Sequence, residues 1–287
     1  MKVAVVGAGR IGTGVAVLLQ RAGHRIVAVA GRGPTRDRAA SYLPGVPVLE
    51  ATDASRAAEL VIVGVPDDAL ETVVASIRNG GGFHEEQWAM HLSGASGLDV
   101  LDAARDAGAR RLGVHPLQTV PDVAGAIERI PGSPVAVTAD DEEGYHLGER
   151  LADDLLGEPF RLADELRPLY HAAAVFASNY VVATSGVAAD LFEAAGLPDP
   201  VAAMGPLQRA TLENIQRLGP APALTGPAVR GDATTIERNL TALAAAAPGM
   251  IPAYIAMARV ALDLAARDDR LPHERRIAVD EVLDRWS

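Results

Sequence analysis

Residues 1–14, MKVAVVGAGRIGTG, decide how the rest of the chain is read. Val3-Ala4-Val5-Val6 is a run of small and β-branched apolar residues, the composition of a strand buried on both faces. The run breaks at Gly7-Ala8-Gly9-Arg10-Ile11-Gly12, and an apolar helical pattern follows through Val15, Val17, Leu18 and Leu19. That is G-x-G-x-x-G between a strand and a helix, the setting in which the pattern binds a dinucleotide. The first glycine permits the tight turn, the second lets a pyrophosphate approach the backbone, and the third lets helix and strand pack closely. The N–H groups at the helix start then face the phosphates. Gly7, Gly9, Arg10, Ile11 and Gly12 are therefore expected to line a cofactor site.

Further along, His24–Ala30 reads as the second strand, and it ends in Ala30-Gly31-Arg32. A site for NAD would place a carboxylate there, on the ribose 2′-hydroxyl. A guanidinium pairs instead with a 2′-phosphate, so Arg32 favours NADP over NAD, the alternative being a solvated loop cation. Val46–Leu49 suggests a short strand, confined by Pro47 to an edge or a strand start. Leu60–Val65 is another buried strand, and Val65 and Pro66 at its end are expected to pack beside the cofactor. Asp67 and Asp68 read as caps of the helix that follows. Strands at 87–92, 111–114, 134–137 and 160–162 continue the alternation with helices. The pattern predicts an α/β doubly wound parallel sheet, a Rossmann dinucleotide-binding domain over residues 1–162. From Asp164 no strand pattern recurs, and residues 163–287 are expected to form an all-α domain for substrate binding and dimerisation. Leu166–Ala195 is apolar on most faces and reads as a helix buried in a bundle or dimer core.

Composition removes several classes of function. The formal charge of −11 over 287 residues argues against nucleic acid and acidic membranes as partners. Without cysteine there is no disulfide framework, thiol nucleophile or Cys-ligated metal, and no metal site is expected. The apolar stretch 240–258 contains Pro248, Gly249 and Pro252, which speaks against a membrane span. A soluble cytoplasmic protein is the expectation. Lys2 is the only lysine, at the start of the first strand. That excludes a Walker A loop, a Schiff-base lysine and a lysine proton donor.

Hydride transfer needs a proton donor, groups that orient the substrate, and a site poor in water. Ser93 and His115 each follow a predicted strand at the expected crevice edge, and His115 is the candidate acid, since imidazole titrates near working pH. The alternative is a histidine that caps its turn. His171 and Asn179 lie eight residues apart, about 80° around a helix. Inside an apolar helix they need hydrogen-bond partners, supplied by substrate or by structure. In the loop 224–232, Thr225 and Arg230 are candidates for an anionic substrate group, with Asp232 holding the guanidinium. Alternatively Asp232 caps the following helix and Arg230 is exposed.

With these residues in view, the chain resembles the Rossmann-like proteins that carry a helical C-terminal domain of unknown function, DUF2520. The resemblance rests on GAGRIG at 7–12, HLSGA at 91–95, GVHPLQT at 113–119, YHAAAVFASNY at 170–180 and LTGPAVRGD at 224–232. That group is placed in the 6-phosphogluconate-dehydrogenase-like superfamily, and the resemblance implies an NADP-type cofactor and a homodimer built from the helical half. His115-Pro116 is similar to the catalytic His-Pro of prephenate dehydrogenases. Ketopantoate reductases carry a lysine four residues before an asparagine on their long helix. Matched on Asn179, that position here is Val175, so the lysine mechanism is excluded and His171 is the possible substitute. The expected function is hydride transfer between NADP(H) and a small, anionic carbonyl, imine or hydroxy compound. The competing readings are a non-catalytic NADP-binding redox sensor or scaffold, and an NADP/deazaflavin reductase.

Overall fold

Seven strands form one sheet in the computed structural model, which describes residues 1–287. They are β1 (Lys2–Val6), β2 (Arg25–Ala30), β3 (Leu60–Val63), β4 (Trp88–His91), β5 (Arg110–Pro116), β6 (Pro134–Ala139) and β7 (Glu158–Arg161), in the order β2-β1-β3-β4-β5-β6-β7. Between them run α1 (Arg10–Arg21), α2 (Thr35–Tyr42), α3 (Ala51–Arg56), α4 (Leu70–Asn79), α5 (Asp102–Arg105), α6 (Val123–Arg129) and α7 (Glu142–Asp154). Alternate β1 residues face opposite ways. Val3 and Val5 pack with Val15 and Leu19 of α1, while Ala4 and Val6 pack in the core that contains Val74 and Ile77 of α4. Both faces are covered, which is why the strand reads as an unbroken apolar run.

The sheet is not wholly parallel. The five strands β2, β1, β3, β4 and β5 run one way, but β6 pairs antiparallel with β5, and β7 runs parallel to β6. The segment 117–133 leaves and re-enters the sheet at the same end of its strands, with the Leu117 N–H donating to the Pro134 carbonyl at 2.8 Å. Between those points α6 docks on α1, where Gly14 lacks the side chain that would collide with Ala126. The excursion thus returns to the end it left instead of crossing over. The strand expected at Val46–Leu49 is a single bridge between Val29 and Val48, because Pro47 has no N–H to extend the ladder.

The chain divides into two compact units, Met1–Tyr180 and Val181–Ser287. The division lies beyond the composition change at 162/163, because the first turns after the sheet, α8 (Arg167–Ala174), remain tied to it by the buried Arg167 side chain. A π-helical turn, Val175–Asn179, joins α8 to α9 (Tyr180–Ala194). Of the two expectations for this long helix, burial in a bundle of its own chain is not what the fold shows. No α9 residue is buried, and Leu169, Phe176 and Val182 are exposed. The second unit continues with α10 (Pro200–Leu218), α11 (Pro220–Ala223), α12 (Pro227–Arg230), α13 (Ala233–Ala246), α14 (Ile251–Arg267) and α15 (His273–Arg285). Its own core contains Ile236, Leu240, Ile255, Leu262, Val279 and Leu283. Two helical stretches, Asp164–Ala194 and Pro248–Arg267, are long and apolar enough to cross a membrane by length and composition.

Candidate functional site

The glycine loop has the geometry a dinucleotide requires. Gly7 adopts φ +87°, and a β carbon there would lie 2.6 Å from the Gly64 carbonyl carbon and 2.7 Å from the Val65 nitrogen. A β carbon on Gly12 would meet the Gly7 carbonyl oxygen at 2.6 Å, so α1 can approach β1 only with glycine there. At Gly9 the nearest atom would be the Gly7 oxygen, 3.9 Å away, which leaves open space above the loop. The N–H groups of Arg10, Ile11 and Gly12 have no intrahelical acceptor and no loop carbonyl takes them. These donors and that space fit a pyrophosphate. Val65 and Pro66 follow β3 directly beside Gly7, with Val65 half-buried and Pro66 exposed.

Arg32 is exposed just past β2, and its carbonyl accepts from Thr35 Oγ1 at 2.9 Å. Arg38, which the sequence reading passed over, also reaches the glycine loop. Its Nε donates to the Ala8 carbonyl at 2.9 Å, which carries the guanidinium from α2 onto the glycine loop and leaves its terminal nitrogens without a carboxylate partner. The spacing in Pro34-Thr35-Arg36-Asp37-Arg38 carries the signal, since a helix starting at Thr35 turns its fourth residue back toward the loop.

A second polar cluster lies at the ends of β4 and β5 and on α8. His91 is fully buried, with Nδ1 accepting from the Ser93 N–H at 3.2 Å and Nε2 without a partner. The Ser93 hydroxyl is engaged within its own turn. It accepts from the Ala95 and Ser96 N–H groups at 3.1 and 2.9 Å and sits 3.0 Å from Ser96 Oγ. His115, expected in a turn, occupies the last stretch of β5, and its Nδ1 is 2.8 Å from Tyr170 Oη. A β carbon on Gly94 would lie 2.8 Å from His115 Nε2 and 2.9 Å from His171 Nδ1, so both nitrogens converge over a bare Cα. His171 Nδ1 is itself buried without a partner. Beneath them the wholly buried Arg167 donates from NH1 to Thr138 Oγ1 at 2.8 Å and from NH2 to the Ser93 carbonyl. Gly113 makes room for it, since a β carbon there would meet Arg167 NH1 and His91 Nε2 at 3.0 Å each.

Tyr170 and Arg167 were not singled out from the sequence. The available signal was the spacing of Arg167, Tyr170 and His171 at i, i+3 and i+4, which shares one helix face.

Burial and the neighbouring Arg167 cation push His115 down from 6.5 to about 4, with His171 adding to the effect. The same two leading causes, with His115 as a third, take His91 to about 3. At neutral pH about one His115 in a thousand is an imidazolium. In the unfolded chain both rings take up a proton below pH 6.5, whereas in the folded chain they resist. Their contribution to stability is therefore fully present above pH 6.5 and is lost as pH falls toward 3. Thermal melts between pH 7 and 4 should show Tm falling, and His115→Asn should flatten that slope.

Asn179 is exposed at the end of the π turn. The extra residue there makes the eight-residue separation from His171 equal to about seven α-helical steps, roughly 20° apart instead of 80°. In the second unit, Asp232 caps α13 through the Thr235 N–H at 3.0 Å and Thr235 Oγ1 at 2.7 Å. It does not clamp Arg230, whose guanidinium is exposed and forms no ion pair, although, after the two Thr235 hydrogen bonds, the cation helps hold the Asp232 carboxyl below its ordinary range. Thr225 is exposed in the loop before α12.

Two family models match the chain: a Rossmann-like domain over residues 1–116 and the domain of unknown function DUF2520 over residues 133–261. Among curated proteins, glycerol-3-phosphate dehydrogenase [NAD(P)+] from Rhizobium etli is 28% identical over 176 residues, covering 56% of this chain. The match spans about half (52%) of that enzyme's length. Among solved structures, BF3122 from Bacteroides fragilis, described as a candidate NADP oxidoreductase, is similar with a TM-score of 0.76 and 26% identity. The alignment covers 91% of this chain and 98% of that one. TM1727 from Thermotoga maritima shares the fold, with a TM-score of 0.71 and 22% identity over 93% of this chain and 99% of the other.

Proposed function

The chain is a Rossmann-like protein that carries a DUF2520 domain, and from that premise we propose that it is an NADP-dependent oxidoreductase acting on a small carbonyl or hydroxy compound. The observation that carries this reading is the pairing, within the first unit, of a phosphate-ready glycine loop with two histidine nitrogens, His115 Nε2 and His171 Nδ1, that meet over the buried Gly94. When bound, NADPH would supply a hydride. Arg10, Ile11 and Gly12 would hold its diphosphate through their N–H groups, and Arg32 with Arg38 would hold the 2′-phosphate. The preference for NADP over NAD rests on those two guanidiniums and on the absence of a carboxylate at the end of β2.

His115 exchanges a proton with the substrate oxygen through Nε2, and His171 supplies a second polar contact over Gly94. Asn179 would orient the substrate from the same side of the helix. Ser93 shapes the turn under the site. The exposed apolar residues of α8, the π-helical turn and α9, including Leu169, Phe176 and Val182, suit a homodimer face.

The test is loss of NADPH absorbance against a panel of small ketones, keto acids and imines. Turnover with one member is expected; binding of NADPH without turnover of any would favour a sensor. Arg38→Ala should weaken NADPH binding about tenfold or more and leave NADH binding nearly unchanged, measured by fluorescence titration. Equal losses for both cofactors would detach Arg38 from the 2′-phosphate.

A further inference from the structure

We propose that Tyr170 is the source of the site's proton, relayed through the His115 ring, and that the buried Arg167 is a fixed counter-charge for that relay. The proposal rests on the hydride-transfer reading above. Tyr170 Oη lies 2.8 Å from His115 Nδ1, with the two rings edge-on at 5.5 Å between centroids. With the phenol donating to Nδ1, the ring's own hydrogen sits on Nε2, the nitrogen that faces Gly94. One end of the imidazole is therefore loaded by the tyrosine and the other is presented to substrate.

The surroundings decide which group can carry charge. Arg167 is wholly buried, its NH1 and NH2 are spent on Thr138 Oγ1 and the Ser93 carbonyl, its Nε has no partner, and no carboxylate lies within ion-pair distance. The ionisable groups around His115 are Tyr170, His171 and Arg167 from α8, His91 from β4, and, at longer range acting on Arg167, Asp164 before α8 and Asp67 after β3. A cation held in that shell opposes a positive ring and favours a negative phenolate. Burial lifts Tyr170 to about 12, and Arg167 works against that rise. An imidazolium donor would face the same cation with nothing to offset it.

The step balances as follows. The substrate carbonyl carbon gains the hydride and its two electrons, leaving the nicotinamide oxidised. The carbonyl oxygen takes the proton on His115 Nε2 as Nδ1 takes the phenolic proton from Tyr170. The ring keeps its proton count, and Tyr170 is left as a phenolate near Arg167 until Nε2 takes a proton from solvent and Nδ1 returns its own to the phenolate, which restores the starting tautomer. In the oxidative direction each transfer runs backward.

Ring nitrogens of the histidines in the full chain, without cofactor, can be followed by ¹⁵N–¹H spectroscopy across pH. The wild type should show His115 neutral, with Nε2 protonated and Nδ1 accepting, down to about pH 4. In Arg167→Met its midpoint should rise by about one unit, and in Arg167→Lys it should stay low. Thr138→Val, which removes one anchor of the guanidinium, serves if Arg167→Met does not fold; it too should raise the midpoint. Tyr170→Phe should mix the His115 tautomers and reduce kcat about 100-fold with KM and NADPH affinity little changed. An unmoved midpoint in the variants lacking or loosening Arg167, or a Tyr170→Phe enzyme with wild-type kcat, overturns the proposal. If the wild type reduces nothing, the hydride-transfer reading fails, while the histidine titration still decides the part played by Arg167.

Discussion

Gly7→Ala is expected to abolish cofactor binding and to cost the fold about 3 kcal/mol, from a left-handed backbone that a β carbon resists and from overpacking against β3. The reason is local and unforgiving. At φ +87° the new methyl would lie 2.6 Å from the Gly64 carbonyl carbon and 2.7 Å from Val65 Cγ1, and the first of these is backbone that cannot rotate away. Gly9→Ala provides the contrast. Its β carbon would meet nothing nearer than 3.9 Å, and its φ of −79° suits any residue. The fold should therefore keep its Tm while NADPH affinity falls about 100-fold, because the methyl would occupy the space a pyrophosphate needs. Denaturant melts and fluorescence titrations on the two variants separate structure from binding. If Gly9→Ala bound NADPH as the wild type does, the loop would not be the phosphate site.

Gly94→Ala should behave like loss of His115 itself. Its β carbon would lie 2.8 Å from His115 Nε2 and 2.9 Å from His171 Nδ1, closer than carbon and nitrogen tolerate. Neither ring can simply swing aside, since His115 is tethered to Tyr170 and His171 Nδ1 is packed away from solvent. Displacing both rings should lower kcat by about 100- to 1,000-fold, close to the effect of His115→Ala, with NADPH affinity preserved. Steady-state kinetics on a substrate found by the panel, beside a cofactor titration, reads both quantities. Wild-type turnover in Gly94→Ala would mean that the two nitrogens do not act over this glycine.

Much of this was legible in the chain because the signals are local. The glycine loop depends on a left-handed backbone at Gly7 and a close helix–strand approach at Gly12, and its neighbours in sequence are its neighbours in space. The strand runs betray themselves because a sheet covered on both faces leaves no polar alternation. The single lysine at position 2 removes a whole class of proton donors on composition alone. His115 drew notice for its place at a strand end, and the structure sets it beside the glycine turn of residues 93–97.

Other features were hidden for equally physical reasons. The reversal of β6 relative to β5 reflects where an excursion of the chain docks, through Gly14 and Ala126, residues 112 positions apart (126 − 14). Asp232 could have served a guanidinium or a helix end, and the geometry of two oxygens around Thr235 decided for the helix.

The amino-acid sequence by itself therefore determined the glycine loop, the sheet-forming runs and the supply of chemical groups, since each follows from short-range sterics and composition. Only the tertiary structure decided that Arg167 is a buried cation without a contacting carboxylate, that it anchors to Thr138 and the Ser93 carbonyl, and that Tyr170 meets His115. A side chain's charge is written in its formula, but its burial and its partners come from segments far away in the chain. Those long-range neighbours set which proton can move.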